Sequence, residues 1–205
     1  MQVHRYAVFV LVWAAALTAQ TNTLTKYHDP VYGVSFTYPS EWKEDPKLGW
    51  YLGTDILHAF ATEFEVPHAL AKVGFHNTGK GTYAGTMLDG VEFVYFVVPD
   101  ITKDACYARL TVFLENTMAG RQPSSAAIHG VRYLHFESGD GGLGHAAGRD
   151  IYAGYLEDRC YLFEAGIHSE PGSDRRILTK EQNNELRARL NAVMQSVQIS
   201  PHQTD

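Results

Sequence analysis

Val91-Glu-Phe-Val-Tyr-Phe-Val-Val98 is the most strand-like run in the chain. β-Branched and aromatic residues fill it, and such side chains suit a pleated, packed surface. Pro99 stops it, because proline has no amide to give a strand ladder. Just beyond, the period of the pattern changes. From Thr102, the residues Cys106, Leu110, Phe113, Leu114 and Thr117 recur at helical spacing, and Gly120 stands where a helix ends. The spacing places Cys106 on the buried face of that helix. A packed strand followed at once by a helix points to a sheet with helical cover.

Reading outward towards the N-terminus, Ala69 to His76 is a second strand, and Asn77 to Gly81 a glycine-rich turn leading back to the first. Further up, Val34, Phe36 and Tyr38 alternate with polar residues at the strand period. Asp29-Pro30 opens a turn ahead of them, Pro39 closes the strand, and Trp42 is placed to fold back as a core anchor. Asp55 to Phe64 is expected as a short helix. Towards the C-terminus, Gly130 to Glu137 and Ile151 to Leu156 read as strands joined by a long link, Ser138-Gly-Asp-Gly-Gly-Leu-Gly-His-Ala-Ala-Gly-Arg-Asp150. Glu157-Asp158-Arg159 turns the chain into a strand from Cys160 to Ile167. The last helix is the best marked: Thr179 and Gln182 make a capping box, and Leu186, Leu190, Val193, Met194 and Val197 make one apolar stripe. The fold class is α+β, with a mainly antiparallel β-sheet covered by helices.

At the N-terminus a single cation, Arg5, precedes an apolar run from Ala7 that ends in small residues at Ala19. This order is that of a secretory signal peptide spanning residues 1–19. The run is shorter than the roughly 20 apolar residues that cross a bilayer, so an uncleaved anchor is the weaker alternative. Cleavage is expected after Ala19, with Ala14-x-Ala16 as a second acceptable site. Residues 20–26 read as a flexible leader, 27–200 as one domain, and 201–205 as a C-terminal tail. The protein is expected to be secreted or periplasmic, without a membrane span after cleavage.

The whole chain has 205 residues and a formal charge of −6, and hydrophobic residues make up 45% of it. Loss of Arg5 makes the charge of the mature chain more negative by one. No cluster of Lys and Arg is present to displace counterions, which excludes nucleic acid as a partner and disfavours anionic membranes. Cys106 and Cys160 are the two cysteines. An even count in an oxidising compartment favours a disulfide, the alternative being two buried thiols.

Three stretches carry a resemblance. Tyr32-Gly-Val-Ser-Phe-Thr-Tyr-Pro-Ser-Glu-Trp42 resembles the opening of PsbP-like domains, where an aromatic-glycine strand runs into a Pro-x-x-Trp turn. The last helix leading into Gln195-Ser-Val-Gln-Ile199 resembles that family's closing helix and short final strand. Gly85-Thr-Met-Leu88, the Cys106 helix, Arg159-Cys-Tyr-Leu-Phe-Glu164 and Ile167-His-Ser169 are similar to uncharacterised secreted bacterial proteins with that domain. The resemblance implies an α/β/α sandwich, seen in a photosystem subunit and in a nuclear-import factor that binds a small GTPase. It implies a binding or assembly module and supplies no catalytic residue.

Candidate chemistry is sparse. Gly74-Phe-His-Asn-Thr-Gly79-Lys80-Gly81 nearly spells a P-loop, but Gly81 fills the Ser/Thr position that holds magnesium, so a hairpin turn is expected. His135 near a strand end, with Asp140, His145 and Asp150 in the link, offers imidazole and carboxylate ligands for zinc or a similar divalent ion if the flanking strands pair. The competing reading is solvated loop carboxylates and a partly buried His135. The five glycines from Gly139 to Gly148 either let backbone amides approach a ligand or let a long turn bend. His168 could join the same rim. No Gly-x-Ser-x-Gly elbow occurs, and Ser35 has no evident base. Tyr83, Tyr95, Tyr107, Tyr152 and Tyr155 are either core or an amphipathic face for a partner. Two functions follow: an exported non-enzymatic module binding a protein partner or small ligand, or a metal-dependent or Ser/His hydrolase centred on His135 and His145.

Overall fold

A computed structural model describes residues 23–44, 60, 69–117, 123–142, 145–170, 172 and 174–200. The signal peptide, the C-terminal tail and all of the expected 55–64 helix except Phe60 lie outside them. So do the side chains of Phe113, Leu114, Thr117, Asp140 and His145.

Ten strands are described. β1 (Leu24–Asp29), β2 (Val34–Pro39) and β10 (Gln198–Ile199) form a small sheet in the order β1-β2-β10. β3 (Lys43–Glu44), β4 (Ala71–His76), β5 (Leu88–Val98), β6 (Ser124–Ile128), β7 (Val131–Gly142), β8 (His145–Leu156) and β9 (Arg159–Ser169) form a seven-stranded sheet. Its order is β3-β4-β5-β9-β8-β7-β6, and its named pairings are all antiparallel. Two helices are described, α1 (Lys103–Thr117) and α2 (Lys180–Gln195). The expected α+β class holds.

Three expectations change. Leu24 to Lys26, read as leader, already belong to β1, because they pair with Pro39 to Thr37 of β2. The link at 138–150 is mostly strand: β7 runs on to Gly142 and β8 starts at His145, in continuous register. Glycine weakens strand preference locally, but the long flanking strands set the pairing and carry the weak stretch with them. β6 has no counterpart in the sequence reading, since Ser-Ser-Ala-Ala-Ile offers almost no alternation.

Tight turns fix the order of the meander. His129 and Gly130 take φ of 46° and 82° between β6 and β7, and Glu157 and Asp158 take 49° and 57° between β8 and β9. Paired positive φ values make the two-residue hairpin turn whose twist matches that of the strands. At the N-terminal hairpin, Asp29 Oδ1 accepts from Val31 N at 2.8 Å and Tyr32 N at 3.2 Å. The expected turn at Asp29 is therefore held by its own side chain.

The long sheet is buried on both faces. On one side Val91, Phe93, Tyr95 and Val97 of β5 pack with Tyr161 and Phe163 of β9, Phe36 and Trp42, and the α2 stripe of Leu186, Leu190, Val193 and Met194. The capping box forms as expected: Gln182 N donates to Thr179 Oγ1 at 3.2 Å, and Thr179 N donates to Gln182 Oε1 at 3.1 Å. On the other side Phe96, Leu162, Ile151 and Ala153 pack with Phe60, Cys106 and Leu110. Cys106 and Cys160 are joined there as a disulfide, with Cα atoms 5.7 Å apart, and it ties α1 to the start of β9. Tyr83, Tyr95 and Tyr152 are buried in the first core, and Tyr107 and Tyr155 pack against the second. Tyr83, Tyr95 and Tyr152 are thus core side chains, while Tyr107 and Tyr155 are partly exposed at the margin of the second core. None of the described helices is long and apolar enough to cross a membrane.

Candidate functional site

The α1 side of the seven-stranded sheet is apolar at one end and charged at the other. Strand pairing puts Lys72, Val94, Glu164 and Ile151 in one row across β4, β5, β9 and β8. The next row on the same face is Gly74, Glu92, Gly166 and Arg149, and the one after it is His76, Gly90, His168 and Ala147. Beyond Val94 and Ile151 in the other direction lie Phe96, Leu162 and the disulfide. Polar side chains therefore replace apolar ones where the sheet extends past α1's core.

Three of these groups are deeply buried. Glu92 is 3% exposed, Arg149 8% and Glu164 0%. Arg149 Nε faces Glu164 Oε1 at 3.8 Å. Both oxygens of the Glu92 carboxylate are buried without a hydrogen-bond partner. Burial pushes the Glu92 carboxyl up to about 7, although Lys72 and Arg149 pull the other way. Taking charges out of water costs several kcal/mol per ion, and apolar replacements of such clusters are often neutral or stabilising. A carboxyl so perturbed by burial, beside specific charge partners, marks a candidate site.

Sequence reasoning passed over these residues, quoting Glu92 and Glu164 only as parts of strands. The signal was there: each is a lone carboxylate inside a run that is apolar at both parities, where a strand has no wet face to offer it. His168 was noticed, but its neighbours were not.

The four sequence-predicted metal ligands divide. His135 and Asp150 meet, with Nε2 and Oδ1 2.9 Å apart. They belong to the opposite face of the sheet, towards α2, where Arg187 Nη1 approaches Asp150 Oδ2 at 3.5 Å. The His135 ring stacks on Tyr152 at 4.4 Å between centroids, and its Nδ1 lies 3.2 Å from Ser124 Oγ. Glu137 joins His135 and Asp150 within metal-ligand spacing. Asp140 pairs with Ala147, and His145 with Gly142. Alternation along β7 and β8 makes both of them register positions of the Arg149 set, not of the His135 set. The near-P-loop is a turn: Gly79 and Gly81 both take φ of 73°, and a 3-10 turn at Gly81–Tyr83 follows instead of an α-helix.

No family model matches the chain, and no curated protein matches it by sequence. Among solved structures it is similar to the cyanobacterial PsbP (CyanoP) from Synechocystis, at 12% identity over 89% of this chain and 96% of that one, with a TM-score of 0.45. It is also similar to LpqN, involved in cell envelope biogenesis of Mycobacterium tuberculosis, at 11% identity over 87% and 91%, with a TM-score of 0.46. The Ran-binding protein Mog1p of Saccharomyces cerevisiae is similar at 8% identity over 87% and 96%, with a TM-score of 0.44. The α+β architecture rests on the strands and helices of this chain itself.

Proposed function

We propose that this protein is an exported, non-enzymatic binding module that takes its ligand on the charged end of the α1-side sheet face. The observation that carries this reading is the burial of Glu92, Arg149 and Glu164 together at the charged end of this face. Taking these charges out of water costs the fold several kcal/mol per ion, and titratable groups gathered in this way are characteristic of binding sites. Export is supported by the order of Arg5, apolar run and small residues, and by a disulfide, which persists in oxidising compartments. Fixed polar groups of both signs beside apolar ones suit a small charged ligand, which gains specificity from a few such groups.

The reading is tested by a thermal-shift screen of the mature, chelator-stripped protein against lipids and charged sugars. A ligand of the native state must raise its melting temperature. We expect at least one hit, lost in Glu92→Gln and in Arg149→Leu. Hits that persist in both variants, or a screen with no hit, would count against this face.

One arrangement favours a second reading. Ser124 Oγ, His135 and Asp150 stand in line at 3.2 and 2.9 Å, the order of a Ser/His hydrolase. Two features weigh against it. Ser124 Oγ also lies 3.3 Å from the His135 backbone oxygen, to which it donates. It reaches Nδ1, the ring nitrogen closer to the strand, so a substrate carbonyl would have to pass the β7 backbone.

A further inference from the structure

At the far end of the same face, we infer that Asp89, His168 and Glu170, with His76 beside them, form a binding site for a zinc-like divalent metal ion. The pairing of β5 with β9 shifts between Leu88, opposite Ser169, and Gly90, opposite His168, which leaves Asp89 as the extra residue. A bulge of this kind re-aims a side chain. Here it brings Asp89 Oδ2 to 3.6 Å from His168 Nδ1 and 4.0 Å from His76 Nδ1. One ligand atom each from Asp89, His168 and Glu170 lie within 4.8 Å of one another.

These spacings separate a metal site from a direct hydrogen bond. A direct N–H···O bond would draw the atoms to about 2.9 Å. Tetrahedral zinc with bonds of about 2.0–2.1 Å holds its ligand atoms about 3.3 Å apart. The gaps at Asp89 are too long for the first; the one to His168 is within about 0.3 Å of the second, and the one to His76 exceeds it by about 0.7 Å. By contrast, His135 and Asp150 at 2.9 Å are already hydrogen-bonded. One imidazole with two carboxylates, and a second imidazole next to one of them, suit zinc with water completing the shell, and the carboxylates balance the charge of the ion.

The backbone around the group is fixed. Asn77 N donates to the Asp89 carbonyl at 2.6 Å, Asn77 Nδ2 to the Leu88 carbonyl at 2.8 Å, and Glu170 N to the Met87 carbonyl at 2.8 Å. Gly90 stands between the two histidines. A Cβ there would lie 2.6 Å from the Phe75 carbonyl oxygen and 3.5 Å from His76 Nδ1, so glycine keeps the gap between the imidazoles clear. Half-exposed His76 and Asp89 give an ion a way in, while His168 is 13% exposed. An independent observation points the same way. Glu92, one row along on this face, holds a buried carboxylate without a hydrogen-bond partner, which a neighbouring cation would stabilise.

The inference goes beyond the binding reading and fails separately from it, because the loss of screen hits in Glu92→Gln and Arg149→Leu does not require a metal. The test is calorimetric titration of zinc into the untagged, chelator-stripped protein, with cobalt absorption as a second readout. We expect one zinc per chain and the intense visible bands of four-coordinate cobalt. Changes to groups that merely support a metal ligand cost about 10- to 100-fold, so His168→Ala and Asp89→Asn should weaken binding by about 100-fold or more. His76→Ala alters a half-exposed side chain that the core does not need, and it should weaken binding by about tenfold or more. His135→Ala should leave zinc affinity unchanged. Absence of zinc binding, binding that survives both His76→Ala and His168→Ala, or binding lost in His135→Ala would overturn the assignment.

Discussion

Glu92→Gln should abolish a pH dependence of stability that Glu92 imposes on the native protein. In the unfolded chain this carboxyl ionises near 4.5, whereas in the fold burial pushes it up to about 7. Between those values the native state holds a proton that the unfolded state has released. Stability therefore falls as pH rises through this window, and the whole loss is present above it. At about 1.4 kcal/mol per pH unit, the shift corresponds to about 3 kcal/mol. The groups facing Glu92 are Lys72 on β4, Arg149 on β8 and Glu164 on β9, and all remain in the variant. Glutamine keeps the shape and does not titrate. Any cost of burying its amide is the same at every pH and cancels when the difference between variant and parent is followed. Urea unfolding at pH 4 and at pH 8 should show that difference moving by about 3 kcal/mol in favour of Glu92→Gln. A difference that stays constant across the range would refute the claim that Glu92 is buried and uncompensated.

Two further outcomes follow from the packing and the Ser124 contact. Cys106→Ala with Cys160→Ala opens a loop with a sequence separation of 54, and the chain-entropy relation puts the loss at about 4 kcal/mol; an unchanged urea midpoint would show that the disulfide adds nothing. A fluorophosphonate probe should leave Ser124 unlabelled, in keeping with a binding module, whereas labelling that vanishes in Ser124→Ala would establish the hydrolase reading.

The parts of the fold legible in the sequence were those where one pattern is strong and local. β5 declared itself by composition. α2 declared itself by a capping box and an apolar stripe whose members are buried in the first core. The glycine-rich hairpin was illegible for the opposite reason: its residues have little preference of their own, and their pairing is inherited from β7 and β8. The same cause moved Asp140 and His145. As loop residues they could converge with His135, but as strand residues they obey the two-residue alternation, which separates them from it. His135 and Asp150 did meet, because the flanking strands pair as expected. The charged face was hidden differently. Lys72, Glu92, Arg149 and Glu164 come from four strands, and only the sheet order brings them together.

The central claim, that this buried cluster serves a ligand and not the fold, is tested most directly by neutralising it. Glu92→Gln, Arg149→Leu and Glu164→Gln combined in one protein should be as stable as the parent, or more so, and should lose every hit of the ligand screen. Removing one partner of a buried pair costs about 3–5 kcal/mol, while replacing the whole set by uncharged groups avoids that cost. A combined variant destabilised by several kcal/mol at pH 7, or one that keeps the parent's hits in that metal-free screen, would contradict the account.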